Sequence, residues 1–218
     1  MIMDLPVLYS FRRCPYAMRA RMGLAYSRLS FEHREISLKD RPQALYDISS
    51  KGTVPVLQLG NGHVIDESID IIKWALAQND PKDWYQYQKE DQDRLIEIND
   101  NEFKKRLDKY KYHVRFPDNA LEDYRNDIAK DLELYDERLL SSRYMLGEKI
   151  QLADIALMPF IRQCAHVDLS WFNENFENLS KWLTSFKESK LFISIMTKHK
   201  IWDQASEGIL INWDGINQ

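Results

Sequence analysis

Over the first 79 residues, short apolar runs alternate with stretches in which apolar positions recur every three or four residues. Val7-Leu8-Tyr9 reads as a short buried strand, and Met18, Met22, Ala25 and Leu29 fall on one face of the helix that follows. Phe31 to Ile36 alternates weakly and predicts an exposed-edge strand, and Pro42, suited to a first helical turn, opens a short helix through Ile48. Val54 to Leu59 and His63 to Ile65, joined by Gly60-Asn61-Gly62, predict a hairpin. Ile69, Ile72 and Leu76 then mark an amphipathic helix that begins at or beside Ser68. The order strand, helix, strand, helix, strand, strand, helix predicts a mixed four-stranded sheet with helices packed on it, an α/β domain over residues 1–79.

Asn79-Asp80-Pro81-Lys82-Asp83 is polar and carries proline, so residues 80–87 read as a linker. Beyond Gln88 the strand pattern fades. Ile96, Phe103, Leu107, Tyr110 and Val114 keep helical spacing, and Tyr124, Ile128, Leu132, Tyr135 and Leu139 repeat it after Phe116-Pro117-Asp118-Asn119, which predicts two antiparallel helices. Ile155 to Ile161 is apolar on every side and predicts the buried centre of an all-helical domain over residues 88–218. Leu179, Trp182, Leu183 and Phe186 mark a further helix, and Leu191, Phe192, Ile195 and Met196 another. The apolar tail Ile209-Leu210-Ile211-Asn212-Trp213 is expected to pack back on the body.

Composition narrows the function classes. Hydrophobic residues make up 44% and charged residues 29%, the balance of a chain that can bury a core. No run of 18 apolar residues occurs, and Asp4 and Pro6 interrupt too short an apolar stretch for a secretory signal, so no membrane partner and a cytoplasmic setting are expected. A net charge of −4 argues against nucleic acid, and Glu102 and Asp108 flank the short basic run Lys104-Lys105-Arg106 as on a solvated helix face. The five histidines lack ligand spacing, so no metal site is expected.

Two cysteines give no disulfide framework, but one of them has an unusual address. In Ser10-Phe11-Arg12-Arg13-Cys14-Pro15-Tyr16-Ala17, Pro15 suits the first helical position, which puts Cys14 at the helix N-cap. A helix N-terminus carries roughly half a positive charge, and such placement lowers a thiol pKa from about 8.5 into the range of about 3.5 to 7.5. Cys14 is therefore expected to react as a thiolate. Arg12, Arg13 and Arg19 add positive charge nearby, discounted to the extent that they point into water. A dithiol oxidoreductase needs a second cysteine where this chain has Ala17, and Cys164 lies in an apolar helical run and reads as core. A mixed disulfide on Cys14 therefore needs an external thiol, such as glutathione, to resolve it.

Cys14-Pro15-Tyr16-Ala17, Thr53-Val54-Pro55-Val56 and Asp66-Glu67-Ser68, followed by an all-helical domain, resemble the glutathione S-transferase superfamily. The cysteine form of the first motif is similar to the omega class and to two-domain glutaredoxins. The resemblance implies a thioredoxin-like first domain, glutathione as co-substrate, no metal and a homodimer. It implies that Thr53, Val54 and Pro55 form the loop that pairs with the cysteinyl part of glutathione, with a cis Val54-Pro55 bond. Glu67 and Ser68 would hold the γ-glutamyl end, Arg41 or Lys39 the glycyl carboxylate, and Phe11 and Tyr16 would wall the site. The family's capping box in the second domain keeps Asp154 but has Gln151 at the cap, a departure worth up to about 1 kcal/mol of local stability.

The expected chemistry is attack of Cys14 on a disulfide or an activated small substrate, followed by release with glutathione. Thiol transfer, dehydroascorbate reduction and deglutathionylation fit this scheme. Two alternatives stand beside it: conjugation of electrophiles with glutathione activated by the hydroxyl of Tyr9 or Ser10, and a non-enzymatic interaction protein on the same scaffold. The electrophile is expected to meet a face carrying Asn99, Phe103, Arg106 and Tyr110.

Overall fold

The computed structural model describes residues 5–213. The chain divides into two compact units, one formed by Met1–Lys82 with Ser189–Gln218 and the other by Asp83–Glu188. The second boundary departs from the expected one, because the last segment belongs with the first unit rather than with the helical domain.

In the first unit, β1 (Val7–Ser10) leads into α1 (Pro15–Tyr26), which crosses over to the parallel strand β2 (Phe31–Glu35). After α2 (Gln43–Ile48), the hairpin β3 (Val56–Gln58) and β4 (Val64–Ile65) adds on the other side of β1, and α3 (Ser68–Gln78) follows. The hairpin turn closes with Leu59 N–H donating to the His63 carbonyl at 2.8 Å.

α1 is apolar on almost every side because it has neighbours on almost every side. All of its residues except Tyr16 are buried, Arg19 and Arg21 included. Arg19, whose charge is discounted to the extent that it points into water, is fully buried, with its guanidinium 5.6 Å from the Tyr16 ring. α1 packs on α3 closely enough that a Cβ at Gly23 would lie 2.9 Å from Ile72 Cγ1, so the crossing requires glycine.

The second unit holds α4 (Lys89–Ile98), a π turn (Asn99–Phe103), α5 (Lys104–Lys111), α6 (Leu121–Ser141), α7 (Leu152–Ala165), α8 (Leu169–Asn175) and α9 (Glu177–Lys187). α4, the π turn and α5 run on from one another, one widened turn interrupting the α-helical ladder. The buried stripe of α6 is Tyr124, Ile128, Leu132, Tyr135 and Leu139, as the spacing predicts. α7 is buried throughout Ile155–Ile161. Val114 departs from the expected face: it falls in a short 3-10 turn and is 84% exposed.

Polar groups fix the ends of these helices. Asp154, fully buried, accepts from Met145 N–H (2.9 Å), Gln151 N–H (3.0 Å) and Trp182 Nε1–H (3.1 Å). The Gln151 side chain does not cap α7 but donates to Gln88 Oε1 at 2.8 Å, which gives this departure from the family pattern a bond of its own.

Back in the first unit, α10 (Lys190–Ile195) packs on α1, and β5 (Ile209–Ile211) pairs antiparallel with β2. The sheet therefore has five strands in the order β4-β3-β1-β2-β5, not four, and β2 is not an edge. The apolar tail supplies the extra strand. Trp213 closes it, buried beside Phe31 with its indole N–H donating to the Leu29 carbonyl at 2.9 Å.

Two stability predictions follow from buried polar groups. Asp154→Ala leaves three buried donors without their acceptor and is expected to cost about 3 kcal/mol or more in urea denaturation; a loss within experimental error would mean water replaces the carboxylate. His33, 2% exposed, has its pKa lowered by burial against the opposing pull of Glu35. Unfolded His33 takes up a proton near pH 6.5 where the folded residue does not, so its stability contribution is full above about 6.5 and is lost as pH falls toward the folded value. The urea midpoint should drop between pH 7.5 and about 5.5. The drop should be shallower in His33→Gln, and an equal drop in both would assign it to other groups.

Candidate active site

The site begins where β1 ends. The chain turns after Ser10, with Cys14 N–H donating to the Phe11 carbonyl at 3.0 Å, and Pro15 starts α1. Cys14 takes the extended N-cap conformation, φ −70° and ψ 124°. Its side chain thus sits at the positive end of α1, where first-turn N–H groups lack intrahelical acceptors. The sulfur is half-buried against the apolar cluster of Tyr9, Ala17, Ile36, Leu45, Val54 and Val56. It donates to the Val54 carbonyl at 3.6 Å. Cys164 has the opposite surroundings: it is 1% exposed, and burial pushes its thiol pKa far up.

The facing wall is the loop before β3. Val54-Pro55 is a cis peptide bond, and Val54 and Pro55 are buried while Thr53 is exposed. Just ahead, Gly52 has φ +59° and packs under the Tyr46 ring, which would lie 2.3 Å from a Cβ there. This turn carries Lys51 outward.

The start of α3 supplies the acidic end. Glu67 is its N-cap residue and Ser68, buried, its first helical residue. Lys51 Nζ lies 2.6 Å from Glu67 Oε1 and 3.0 Å from Asp66 Oδ1, and Ser49 Oγ donates to Asp66 Oδ2 at 2.8 Å. The Lys51 ammonium, then Ser49, holds the Asp66 carboxyl below its ordinary pKa, while Glu67 and then Asp66 raise that of Lys51.

These elements enclose a cleft of about 500 Å³. Cys14 and Tyr16 line it from α1, Thr53, Val54 and Pro55 from the loop, and Glu67 and Ser68 from α3. Arg41 lines it as well, with Leu38, Lys51 and Asp66, three residues not singled out by sequence reasoning. Asp66 stood in a quoted motif without a role, and Lys51 sits in a polar turn that carries no signal of its own. Two expected residues fall outside. Phe11 packs against the apolar cluster beneath the sulfur, and Lys39 is exposed, its backbone N–H donating to Ser37 Oγ at 3.3 Å.

The hydroxyls of Tyr9 and Ser10 are not presented to the cleft. Both residues are buried, and their oxygens accept from Arg34 and Arg21 respectively, each at 2.5 Å. The expected electrophile face is likewise part of a core. Phe103 packs on Tyr135, Tyr110 on Trp171, and Arg106 makes a two-pronged bond to Asp131 on α6 at 2.6 and 2.7 Å. Among the described residues, no group of three or more His, Cys, Asp or Glu side chains is arranged to hold a metal, and no helix is long and apolar enough to cross a membrane.

A half-buried thiol at a helix N-terminus, one half-buried and one exposed carboxylate and two cations on one cleft suit a small peptide bearing both charges. Comparison with known proteins agrees. Residues 8–84 match the family described as glutathione S-transferase, N-terminal domain, and residues 70–190 match glutathione S-transferase, C-terminal domain. A rat protein, glutathione S-transferase omega-1 (Rattus norvegicus), is 24% identical over 194 residues, covering 83% of this chain and 76% of its own. Among solved structures, a glutathione transferase family member from Pseudomonas fluorescens with two glutathione bound superposes with a TM-score of 0.76 at 17% identity, covering 90% of this chain and 94% of that one. A glutathione S-transferase from Methylobacillus flagellatus with glutathione bound gives a TM-score of 0.74 at 20% identity, covering 87% and 98%. With both domain matches in order along residues 8–190, the chain belongs to the glutathione S-transferase family.

Proposed function

We propose that this family member catalyses glutathione-dependent thiol transfer or reduction through Cys14. The observation that carries the reading is the half-buried Cys14 thiol opening onto the same cleft as Glu67, Ser68 and the cis Val54-Pro55 loop. Binding of glutathione is supported by the family and by the two related structures that contain it.

The charges favour one orientation of the tripeptide. Its γ-glutamyl ammonium meets Asp66 and Glu67, in competition with Lys51. Its adjacent carboxylate meets Ser68 and the N-terminus of α3. The cysteinyl backbone pairs with Val54, as an added strand pairs with a free sheet edge. Arg41 faces the glycyl carboxylate. This lays the ligand's sulfur toward Cys14.

In the reaction, Cys14 releases its proton to solvent and its sulfur attacks a disulfide that includes glutathione. The substrate's S–S bond breaks, a new S–S bond joins Cys14 to glutathione, and the other thiolate leaves. A second glutathione thiolate then attacks that mixed disulfide, releasing oxidised glutathione and restoring Cys14. Ala17, three residues on, has no sulfur to intercept the intermediate, so the external thiol completes the cycle. Cys14 also argues against simple conjugation, since a sulfur placed there captures the partner sulfur covalently. The burial of the Tyr9 and Ser10 hydroxyls argues in the same direction.

Incubation with oxidised glutathione should add one glutathione by intact mass, reversed by reductant, and Cys14→Ala should gain none while Cys164→Ala gains one. An unmodified wild-type mass would remove the thiol-transfer reading. Glu67→Ala should weaken glutathione binding about fivefold by calorimetry, a modest factor because the side chain is largely exposed; an unchanged Kd in the folded variant would take Glu67 out of the binding site.

A further inference from the structure

Behind the Cys14 loop, on the side away from the cleft, lies a buried cluster of charge that the reaction scheme leaves unused. Arg21, one and a half turns along α1 from Pro15, is 4% exposed. Its guanidinium donates to Ser10 Oγ at 2.5 Å, the Phe11 carbonyl at 3.4 Å, the Arg12 carbonyl at 2.7 Å and the Ile195 carbonyl at 3.1 Å. Two of these four acceptors lie in the loop that delivers Cys14, and a third is the side chain of Ser10, the last residue of β1. Phe11 carbonyl is also the acceptor for Cys14 N–H.

Glu35, at the end of β2 and 6% exposed, holds the same loop from its other side. Its Oε1 accepts from Arg12 N–H at 2.7 Å, and its Oε2 lies 3.0 Å from His33 Nε2. The C-terminal segment completes the cluster. The last carbonyl of α10 receives Arg21, Trp202 N–H donates to the Glu35 carbonyl at 2.8 Å, and the His199 ring stands 4.8 Å from that of His33.

We propose that Arg21 and Glu35 are positioning residues for Cys14: two buried opposite charges, braced by the C-terminal segment, that clamp the Ser10–Arg12 backbone and set the reactivity of the sulfur from behind. A solely mechanical role for so many bonds could be filled by neutral groups, whereas an arginine and a carboxylate each lose their hydration on burial. The charges also reach the sulfur. Burial lowers Arg21 to about 10, which leaves it cationic near neutrality, and the negative charges of Glu35 and then Cys14 act on it in the opposite sense. By reciprocity the Arg21 cation favours the Cys14 thiolate; the Glu35 carboxylate, which carries the sign of the thiolate, opposes it on the Coulomb rule for like charges.

The other charged or titratable groups near the sulfur are Arg12 and Arg13 in its own loop, Arg19 on α1, Arg41, Lys51, Asp66 and Glu67 in the cleft, and His33 against Glu35 with His199 beside it, and the test leaves all of them in place. The test follows alkylation of Cys14 by iodoacetamide against pH, with peptide mapping to separate it from Cys164. The inference rests on Cys14 as the reacting group, but this probe reads the sulfur itself, so its failure is distinct from a failure of glutathione transfer.

In Arg21→Met the midpoint of the rate profile should move up by about half a pH unit or more, and in Glu35→Gln it should move down by a similar amount. Arg21→Lys, which keeps the charge but not the fork, should return most of the shift. A purely structural role moves both midpoints in one direction or neither, and either result overturns the proposal. Glu35→Gln keeps the acceptor for Arg12 N–H; should Arg21→Met not fold, a Glu35→Gln midpoint that stays or rises is sufficient to overturn it.

Discussion

The site depends on a helix that is packed from its first residue onward. α1 is buried along almost its whole length, between the sheet on one side and α3 and α10 on others, so its N-terminus is fixed in the middle of the first unit rather than on a fraying surface. A thiol at a mobile helix end would feel the backbone charge only part of the time. At Cys14 the extended N-cap geometry, the proline at the first helical position and the contact with the apolar cluster hold the sulfur against that end. The close crossing at Gly23 is part of the same constraint, since a bulkier residue there would push α3 and its Glu67-Ser68 start away from the sulfur.

The opposite wall solves a different problem. A ligand with an ammonium group needs carboxylates near solvent, and carboxylates near solvent repel one another. Lys51 lies between Asp66 and Glu67 and offsets part of their charge, while Ser49 holds Asp66 from behind. The acidic end is therefore organised by a cation of the chain itself, an exposed one whose pairing is worth little in stability.

Most of the fold was legible because it is written in periodicity. The buried stripes of α6 and α9 are the apolar positions read from spacing alone, and the N-cap address of Cys14 followed from one proline. What escaped has a common cause. The fifth strand consists of three residues that are too few to show alternation, and its partner β2 carries Glu32, His33, Arg34 and Glu35, which mimic an exposed edge. Arg19 and Arg21 carry no local signal of burial, since an arginine in a helix is ordinarily at the surface, but tertiary partners bury them. Arg41 was separable from Lys39 only in three dimensions, and Lys51 had no local signature. Val114 kept helical spacing past the point where the helix stops.

These misread residues are connected. β2 can carry two buried ionisable side chains only because β5 covers its outer edge and because Arg12, Trp202 and His199 reach Glu35 and His33. Arg21 can be buried in α1 only because loop carbonyls and the end of α10 take up its donors. The charged pattern that makes β2 look like an edge strand and the apolar tail that looks like an appendage are thus two halves of one arrangement. β5 covers the outer edge of β2 through its backbone while Ile209 and Leu210 stay exposed, and Trp213 supplies the buried apolar contact of the tail. The loop bearing Cys14 lies where the two halves meet, so the return of the chain to its first unit shapes the surroundings of that sulfur as well as the sheet.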